Sequence, residues 1–287
     1  MSAAPGKRLA GVIGWPISHS LSPRLFGFWL KEYGIDGAML PLAVKPEELE
    51  KTLRNLGKQG FAGANLTLPH KETALRLVDE VSEDARLIGA VNAITVREDQ
   101  SLFGFNTDHF GFIENVREYA PHFQASQNPC VVLGAGGGAR AVVHALCIAG
   151  ARDIRIVNRT LSRAQRLIDD FAKTHSRTKL SAHDWQRASH IFEDAGFLVN
   201  TTQLSMTGQP VLEIDLKPLP KAAIVSDIVY RPLETDLLSK ARVRGHFVIE
   251  GLGMLLHQGR PGFEAWFGRP AKVTGALRAH ILEALVT

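Results

Sequence analysis

The stretch "CVVLGAGGGARAVVHALCIAG", residues 130–150, restricts the fold more than any other part of the chain. Four apolar residues of strand type run directly into a glycine-rich turn, and the turn runs into a segment with apolar residues at helical spacing. Strand, turn and helix crowded together in this way fit a nucleotide-binding βα unit of a parallel sheet. Within "GAGGGA" (134–139), Gly134 permits the tight turn off the strand, and Gly136 lets backbone N–H groups come close to a pyrophosphate. Ala139 supplies the small third residue for packing helix on strand, and the helix points its positive dipole end at the phosphate. Glycines also serve ordinary turns. The weight therefore rests on position, because "RDIRIVNR" (152–159) follows as the next strand.

Around this unit, short apolar runs alternate with helical patterns almost from end to end, the signature of α/β architecture with mainly parallel strands. "RLAGVIGW" (8–15), "AMLPLAV" (38–44), "FAGANLTLP" (61–69) and "AVNAITVRE" (90–98) read as strands. Helical patterns lie between them at 23–34, 45–60 and 70–89. Past the polar, turn-rich "YAPHFQASQNP" (119–129), strands recur in "FLVNTT" (197–202), "AAIVSDIVY" (222–230) and "HFVIEG" (246–251), with a helix over "LSRAQRLIDDFAKTH". The chain closes on two helix-like stretches, "MLLHQGRPGFEAWFG" and "VTGALRAHILEALV". A chain of 287 residues, 45% hydrophobic, can bury one large core or two modest ones, and at typical domain sizes two domains are the default. The expected fold is thus α/β in two domains. Residues 1–110 form an N-terminal βα domain, rejoined by the closing helices at 252–287, and residues 111–251 form a Rossmann-type dinucleotide-binding domain.

Composition removes other classes. Lys and Arg total 33 against 29 Asp and Glu, a net charge of only +4, spread without basic runs or interleaved aromatics, so a nucleic-acid partner is not expected. Cys130 and Cys147 sit in apolar surroundings without CxxC or Cys/His spacing, which argues against a disulfide or a metal site. The opening "MSAAPGKRLAGVIGWP" has two basic residues but no long apolar run behind them. No stretch approaches the roughly 18 apolar residues of a membrane span. The expectation is a soluble, cytoplasmic protein that engages no membrane.

Where an NAD fingerprint places an acidic residue for the ribose hydroxyls, this chain has "IVNRTLSR" (156–163). A carboxylate there repels a 2′-phosphate, and Asn158 removes it. Arg159 and Arg163 lie four apart across a strand-to-helix turn, so both guanidinium groups can converge on one phosphate, a geometry the arginine fork suits. Asn158 and Thr160 add neutral hydrogen-bonding groups. The competing reading is a pair of solvated arginines at a helix start, and the adjacent glycine turn weighs against it. NADP is the expected cofactor.

Three stretches of the first domain are more polar than a plain βα layer requires: "SHSLSP" (18–23), "NLTLPHK" (65–71) and "GFNTDHFG" (104–111). Ser20 and Ser22 are placed to cap the helix beginning at Pro23 or to bind a ligand. Asn65 and Thr67 share one strand face, at the end of a strand where open α/β sheets bind ligands. Lys71, at a helix start, is unfavourably placed against the dipole, so it either reaches into water or has a carboxylate nearby. Asp108 either caps the next helix or serves as that carboxylate. A Lys–Asp pair can accept the hydroxyl proton while hydride leaves a secondary alcohol. The residues alone thus point to an NADP-linked oxidoreductase of a small polar substrate.

Taken in order, "VIGWPISHSLSP" (12–23), "GANLTLPHK" (63–71), "GAVNA" (89–93), "NTD" (106–108), "GAGGGARA" (134–141), "NRTLSR" (158–163), "SDIVYRPLETDLL" (226–238) and "GLGMLLHQ" (251–258) resemble the shikimate dehydrogenase family over almost the whole chain. The resemblance implies reversible reduction of 3-dehydroshikimate to shikimate with NADPH, by a monomer or homodimer, toward chorismate and the aromatic amino acids. It implies Lys71 as the proton-exchanging residue and Asp108 as its partner. Ser20, Ser22, Thr67, Asn92 and Gln258 would bind the substrate's carboxylate and hydroxyls, with Tyr230 nearby. Gly134, Ala135, Gly136, Gly137 and Gly138 would cradle the pyrophosphate, and Asn158, Arg159, Thr160 and Arg163 would hold the 2′-phosphate. Ile228 and Gly251 would lie beside the nicotinamide. The chain departs from the family's usual residues at Ala93 (Thr), His109 (Gly), Gln203 and Ser205 (often Ser and Gly) and Asp236 (Pro). A relative acting on quinate or another cyclic hydroxy acid, and a non-catalytic NADP sensor, are the other readings.

Overall fold

The structure, a computed structural model, describes residues 8–286; residues 1–7, which open the N-terminal stretch weighed above as a leader, and Thr287 lie outside it. The chain divides into two compact units, Met1–Thr107 with Gln258–Thr287, and Asp108–His257.

In chain order the first unit contains β1 (Arg8–Gly14), α1 (Ser22–Glu32), β2 (Gly37–Ala43), α2 (Leu49–Asn55), β3 (Phe61–Leu66), α3 (Lys71–Ala74), β4 (Glu80–Val81), α4 (Glu83–Ile88), β5 (Ala93–Val96) and β6 (Leu102–Phe105). Its strands form one sheet in the order β2-β1-β3-β5-β6-β4. β1 runs parallel to β2 and β3, whereas β5 is antiparallel to both β3 and β6. The reversal follows from the connection: five residues join β5 to β6, enough for a hairpin and far too few for a parallel crossover. Asp99 shapes that turn by accepting the Ser101 N–H (2.9 Å) and hydroxyl (2.6 Å).

The continuous helix expected over 70–89 is broken. Asp79 exchanges two bonds with Leu102, donating its N–H (3.0 Å) and accepting the Leu102 N–H on its carboxylate (2.8 Å), which captures the segment as edge strand β4. Ser82 then restarts a helix by accepting the Ala85 N–H. One core cluster of this unit gathers Ile13, Leu49, Leu53, Leu66, Val91 and Ile94.

The second unit contains α5 (Asp108–Tyr119), β7 (Cys130–Leu133), α6 (Gly137–Ile148), β8 (Asp153–Asn158), α7 (Leu161–Ala172), β9 (Lys179–Asp184), β10 (Phe197–Asn200), β11 (Ile224–Asp227), α8 (Asp236–Val243) and β12 (Phe247–Ile249). The sheet order is β12-β11-β10-β7-β8-β9, parallel throughout. A parallel sheet is covered on both faces, so its central strands are continuous apolar runs; every residue of "CVVL" and "FLVN" is buried. Burial pushes the Cys130 thiol up to about 12 and the Cys147 thiol up to about 11, which makes both poor nucleophiles. Chain order reverses between β7 and β10, and the ends of the strands at such a point are where open α/β sheets take ligands.

Helix α9 (Leu252–Phe267) runs through the chain boundary at His257 and Gln258, and α10 (Gly275–Val286) follows. Beyond that boundary Phe263, Trp266 and Phe267 surround Phe26 and Trp29 of α1. Trp266 donates to the Ile94 carbonyl (3.0 Å), and Trp29 donates to the Lys272 carbonyl (2.8 Å). None of the described helices is long and apolar enough to cross a membrane.

Candidate active site

In the first unit the polar residues singled out from sequence collect at the ends of β1 and β3 and around the start of β5. The Thr67 N–H donates to the Ile13 carbonyl (2.9 Å), and the Leu66 N–H to the Asn92 carbonyl (2.8 Å). Asn92 is 4% exposed and its side chain is fully engaged. Oδ1 accepts the Thr107 N–H (2.8 Å), while Nδ2 donates to the Thr107 hydroxyl (3.0 Å) and toward Gln258 Oε1 (3.5 Å). Three residues remote in sequence thereby form one amide and hydroxyl cluster, with Gln258 delivered by α9.

Lys71 is the first residue of α3 and half-buried. Its carbonyl accepts the Val91 N–H (2.9 Å), one residue before Asn92, so the lysine and the cluster share a backbone frame. Beside it His70 is 1% exposed, with Nε2 2.8 Å from the Val44 carbonyl. That acceptor places the proton on Nε2, and burial holds the imidazole below its usual pKa, so a neutral ring flanks Lys71.

The serines do not cap α1 as expected. The helix begins at Ser22, Leu21 occupies the cap position, and no side chain caps it. Instead the Ser20 hydroxyl accepts the Ser22 N–H (3.3 Å). Asp108 is likewise the first residue of α5 rather than the residue before it, 8% exposed, and it opens the second unit directly after Thr107. Ala93 is fully buried on β5, paired across to Asn65 and Phe105.

In the second unit the glycine turn leaves β7 with Gly134 at φ +111°, a conformation that disfavours L side chains. A Cβ there would also stand 2.7 Å from Thr201 Oγ1. Ala135 is half-buried. Gly136, at the cap position of α6, and Gly137, its first residue, face open space, with no atom within 4 Å of an added Cβ. No side chain caps this helix start. The N–H groups of its first turn lack helical partners. A Cβ on Gly138 would meet Ile228 Cδ1 at 2.8 Å.

Next to this turn, β8 ends at Asn158, whose side chain donates to the Thr160 carbonyl (2.8 Å) and so shapes the loop into α7. Arg159, Thr160 and Arg163 are exposed there. Among the described residues neither arginine has a carboxylate within salt-bridge distance. Gly251 is required by contact: a Cβ would lie 2.5 Å from the Ile228 carbonyl carbon and oxygen. Tyr230 is half-buried, and burial raises its phenol above the ordinary value.

The remaining departures have local accounts. Asp236 is exposed at the first position of α8, after the capping Thr235; a carboxylate suits that end of a helix, as does the proline it replaces. Ser205 has φ +64°, which explains the glycine usual there, and its hydroxyl accepts the Leu212 N–H (2.9 Å). Gln203 is exposed. The His109 ring lies 5.1 Å from that of His144, whose Nδ1 is 3.0 Å from His175 Nε2. Sequence reasoning passed over Asn200, Thr201 and Asp227 at the ends of β10 and β11. The available signal was a polar residue closing each apolar run, "FLVN" and "IVSD".

Both subsites coincide with matches to known proteins. The shikimate dehydrogenase substrate binding domain matches residues 12–94, shikimate / quinate 5-dehydrogenase matches 117–205, and the shikimate 5'-dehydrogenase C-terminal domain matches 251–279. A shikimate dehydrogenase (NADP(+)) of Paramagnetospirillum magneticum is 54% identical over 275 residues, covering 96% of this chain and 98% of that protein. Among solved structures, shikimate 5-dehydrogenase from Thermus thermophilus in complex with NADP(H) and shikimate has a TM-score of 0.82 at 35% identity, with 98% of each chain covered. Quinate dehydrogenase from Corynebacterium glutamicum in complex with NAD has a TM-score of 0.89 at 30% identity, covering 96% of this chain and 99% of that one. With three family domains matched in order along one chain, and a relative of this identity over nearly its whole length, the chain belongs to the shikimate dehydrogenase family.

Proposed function

We propose that the protein is an NADP-dependent shikimate dehydrogenase, which reversibly reduces 3-dehydroshikimate to shikimate on the route to chorismate. One observation carries the cofactor half: an open glycine turn at an uncapped helix start lies next to a strand that ends in Asn158 and two exposed arginines rather than in a carboxylate. This donor set fits a dinucleotide with a 2′-phosphate. Gly134 to Gly138 hold the pyrophosphate, Asn158, Arg159, Thr160 and Arg163 take the 2′-phosphate, and Ile228 and Gly251 border the nicotinamide. When bound, the cofactor supplies or accepts hydride.

The chain's own side chains then bind, orient and move a proton. Lys71 Nζ gives its proton to the carbonyl oxygen of 3-dehydroshikimate as that oxygen becomes a hydroxyl, and recovers one in the reverse direction. Asp108 partners the lysine. Ser20, Ser22 and Thr67 hydrogen-bond the substrate carboxylate and hydroxyls, together with Asn92, Gln258 and Tyr230. The interlocked amides of Asn92 and Gln258 support this assignment, because side chains fixed before binding lose less freedom when substrate arrives.

The test is a panel of shikimate and quinate, each with NADP and with NAD, read by nicotinamide absorbance. Fastest turnover is expected for shikimate with NADP. Preference for quinate or NAD makes the chain a relative with another substrate or cofactor, and no turnover in any pairing with NADP still bound makes it a sensor.

A further inference from the structure

At the centre of the second unit's binding edge lies a carboxylate that the proposed chemistry does not use. Asp227 ends β11 and is completely buried. Its two oxygens accept three hydrogen bonds, from Asn200 Nδ2 (3.0 Å), the Val229 N–H (3.0 Å) and the Thr235 hydroxyl (2.8 Å). Among the described residues no cation pairs with it. Burial pushes the carboxyl up to about 6, so at neutral pH those three donors hold a charge that desolvation opposes.

Each donor belongs to a different piece of the binding edge. Asn200 closes β10, and its own Oδ1 accepts the Thr202 N–H (3.0 Å) and hydroxyl (2.7 Å), so it shapes the loop that begins with Thr201. Thr201 is the residue that a Cβ at Gly134 would strike. Val229 sits in the turn after β11, directly after Ile228, the side chain packed toward Gly138. Thr235 caps α8 by accepting the Leu238 N–H. One carboxylate therefore ties together the two loops that wall the glycine turn and anchors them to a helix. A carboxylate serves all three donors at once. An asparagine that keeps its oxygen on Asn200 and Val229 turns its NH2 on Thr235, whose hydroxyl then has to reverse and accept that bond besides the Leu238 N–H.

We infer that Asp227 is a positioning residue, which holds the Thr201 and Ile228 loops in the shape that receives the dinucleotide and so sets cofactor affinity without touching the cofactor. The inference rests on the reading of Asp108–His257 as the NADP-binding unit. It separates from a general contribution to stability because the affected loops lie at the glycine turn and away from the 2′-phosphate residues.

The test measures Kd for NADP and NAD, together with Tm, in wild type, Asp227→Asn, Thr235→Val and Thr235→Ser. Asp227→Asn is expected to weaken NADP about tenfold or more, as loss of a hydrogen bond to a charged group implies, and to weaken NAD by the same factor. Thr235→Val should weaken both in the same direction by less, and Thr235→Ser, which keeps the hydroxyl, should restore wild-type affinity. If Asp227→Asn does not fold, the Thr235→Val and Thr235→Ser pair decides the matter by the same criterion. A lower Tm with cofactor Kd unchanged, within about twofold, in the folded variants overturns the inference and makes the network merely structural. Wild type that binds no NADP overturns the reading of the unit itself, and the inference with it.

Discussion

In the proposed reading, the two units solve the same problem of ligand placement with opposite materials. The first uses a mixed sheet and side chains, with Asn92, Thr107 and Gln258 bonded to one another before any ligand arrives. The second uses a purely parallel sheet, backbone N–H groups at an open helix start, and arginines that the fold leaves exposed. One site is preformed by interlocked amides, the other by space and charge. Side-chain substitutions in the first unit should therefore change the chemistry, and those at the glycine turn and the end of β8 in the second should change affinity for the cofactor.

The largest effect tests the first half of that contrast. Lys71→Ala is expected to lower kcat by about 10²–10⁴, the range for loss of a general acid or base, while the Kd for shikimate stays within a few-fold. Lys71 begins a four-residue helix and is half-buried, so stability should change little. Steady-state rates with direct shikimate binding measure both. A variant with near-normal turnover would remove Lys71 from proton transfer and blur the distinction between the units.

Arg159→Ala tests the second half. It should weaken NADP about ten- to a hundredfold, from loss of charge-assisted hydrogen bonds, and leave NAD unchanged, since the 2′-phosphate is the only group added. Equal losses for the two cofactors would make this arginine structural. Its lack of a carboxylate partner among the described residues is what gives the prediction its sign.

A paired glycine substitution sharpens the claim that the second site is made of space. Gly134→Ala forces a side chain into the left-handed region and against Thr201, and should cost about 1–3 kcal/mol of stability. Gly136 has φ −92° and open surroundings, so Gly136→Ala should fold like wild type and instead raise the KM for NADP, because the methyl group occupies the approach of the pyrophosphate. Urea unfolding and cofactor titration separate the two outcomes. If both variants lose only stability, Gly136 serves the turn rather than the ligand.

The contrast between the units also explains what could be read from the chain beforehand. A parallel sheet buries both faces, so "CVVL" and "FLVN" announce their strands by composition alone, and the glycines after "CVVL" announce the turn. The first unit is less legible, because its shape depends on bonds between distant residues. The helix expected over 70–89 is interrupted by the exchange between Asp79 and Leu102, which no local periodicity encodes. Asn92 and Gln258 came from family resemblance, since nothing in "GAVNA" shows that its amide meets Gln258 across most of the chain. Asp227 was missed for a related reason: a charge at the end of an apolar run gives no sign that it is buried and accepts three bonds.

The smallest prediction concerns a non-glycine residue that holds a positive φ without an evident ligand role. Ser205 holds a left-handed backbone, which costs a non-glycine residue about 1–2 kcal/mol, and Ser205→Gly removes that cost. The same change deletes the hydroxyl that accepts the Leu212 N–H, a bond worth about 0.5–1.5 kcal/mol. It also frees the unfolded chain by about 0.5–1 kcal/mol. These terms nearly cancel, so the unfolding free energy should change by less than about 1 kcal/mol, with cofactor and shikimate affinities unaltered. A loss well above that value would mean that the Leu212 bond holds the loop following Thr201 in place, and Ser205 would then join Asp227 among the residues that shape the second site.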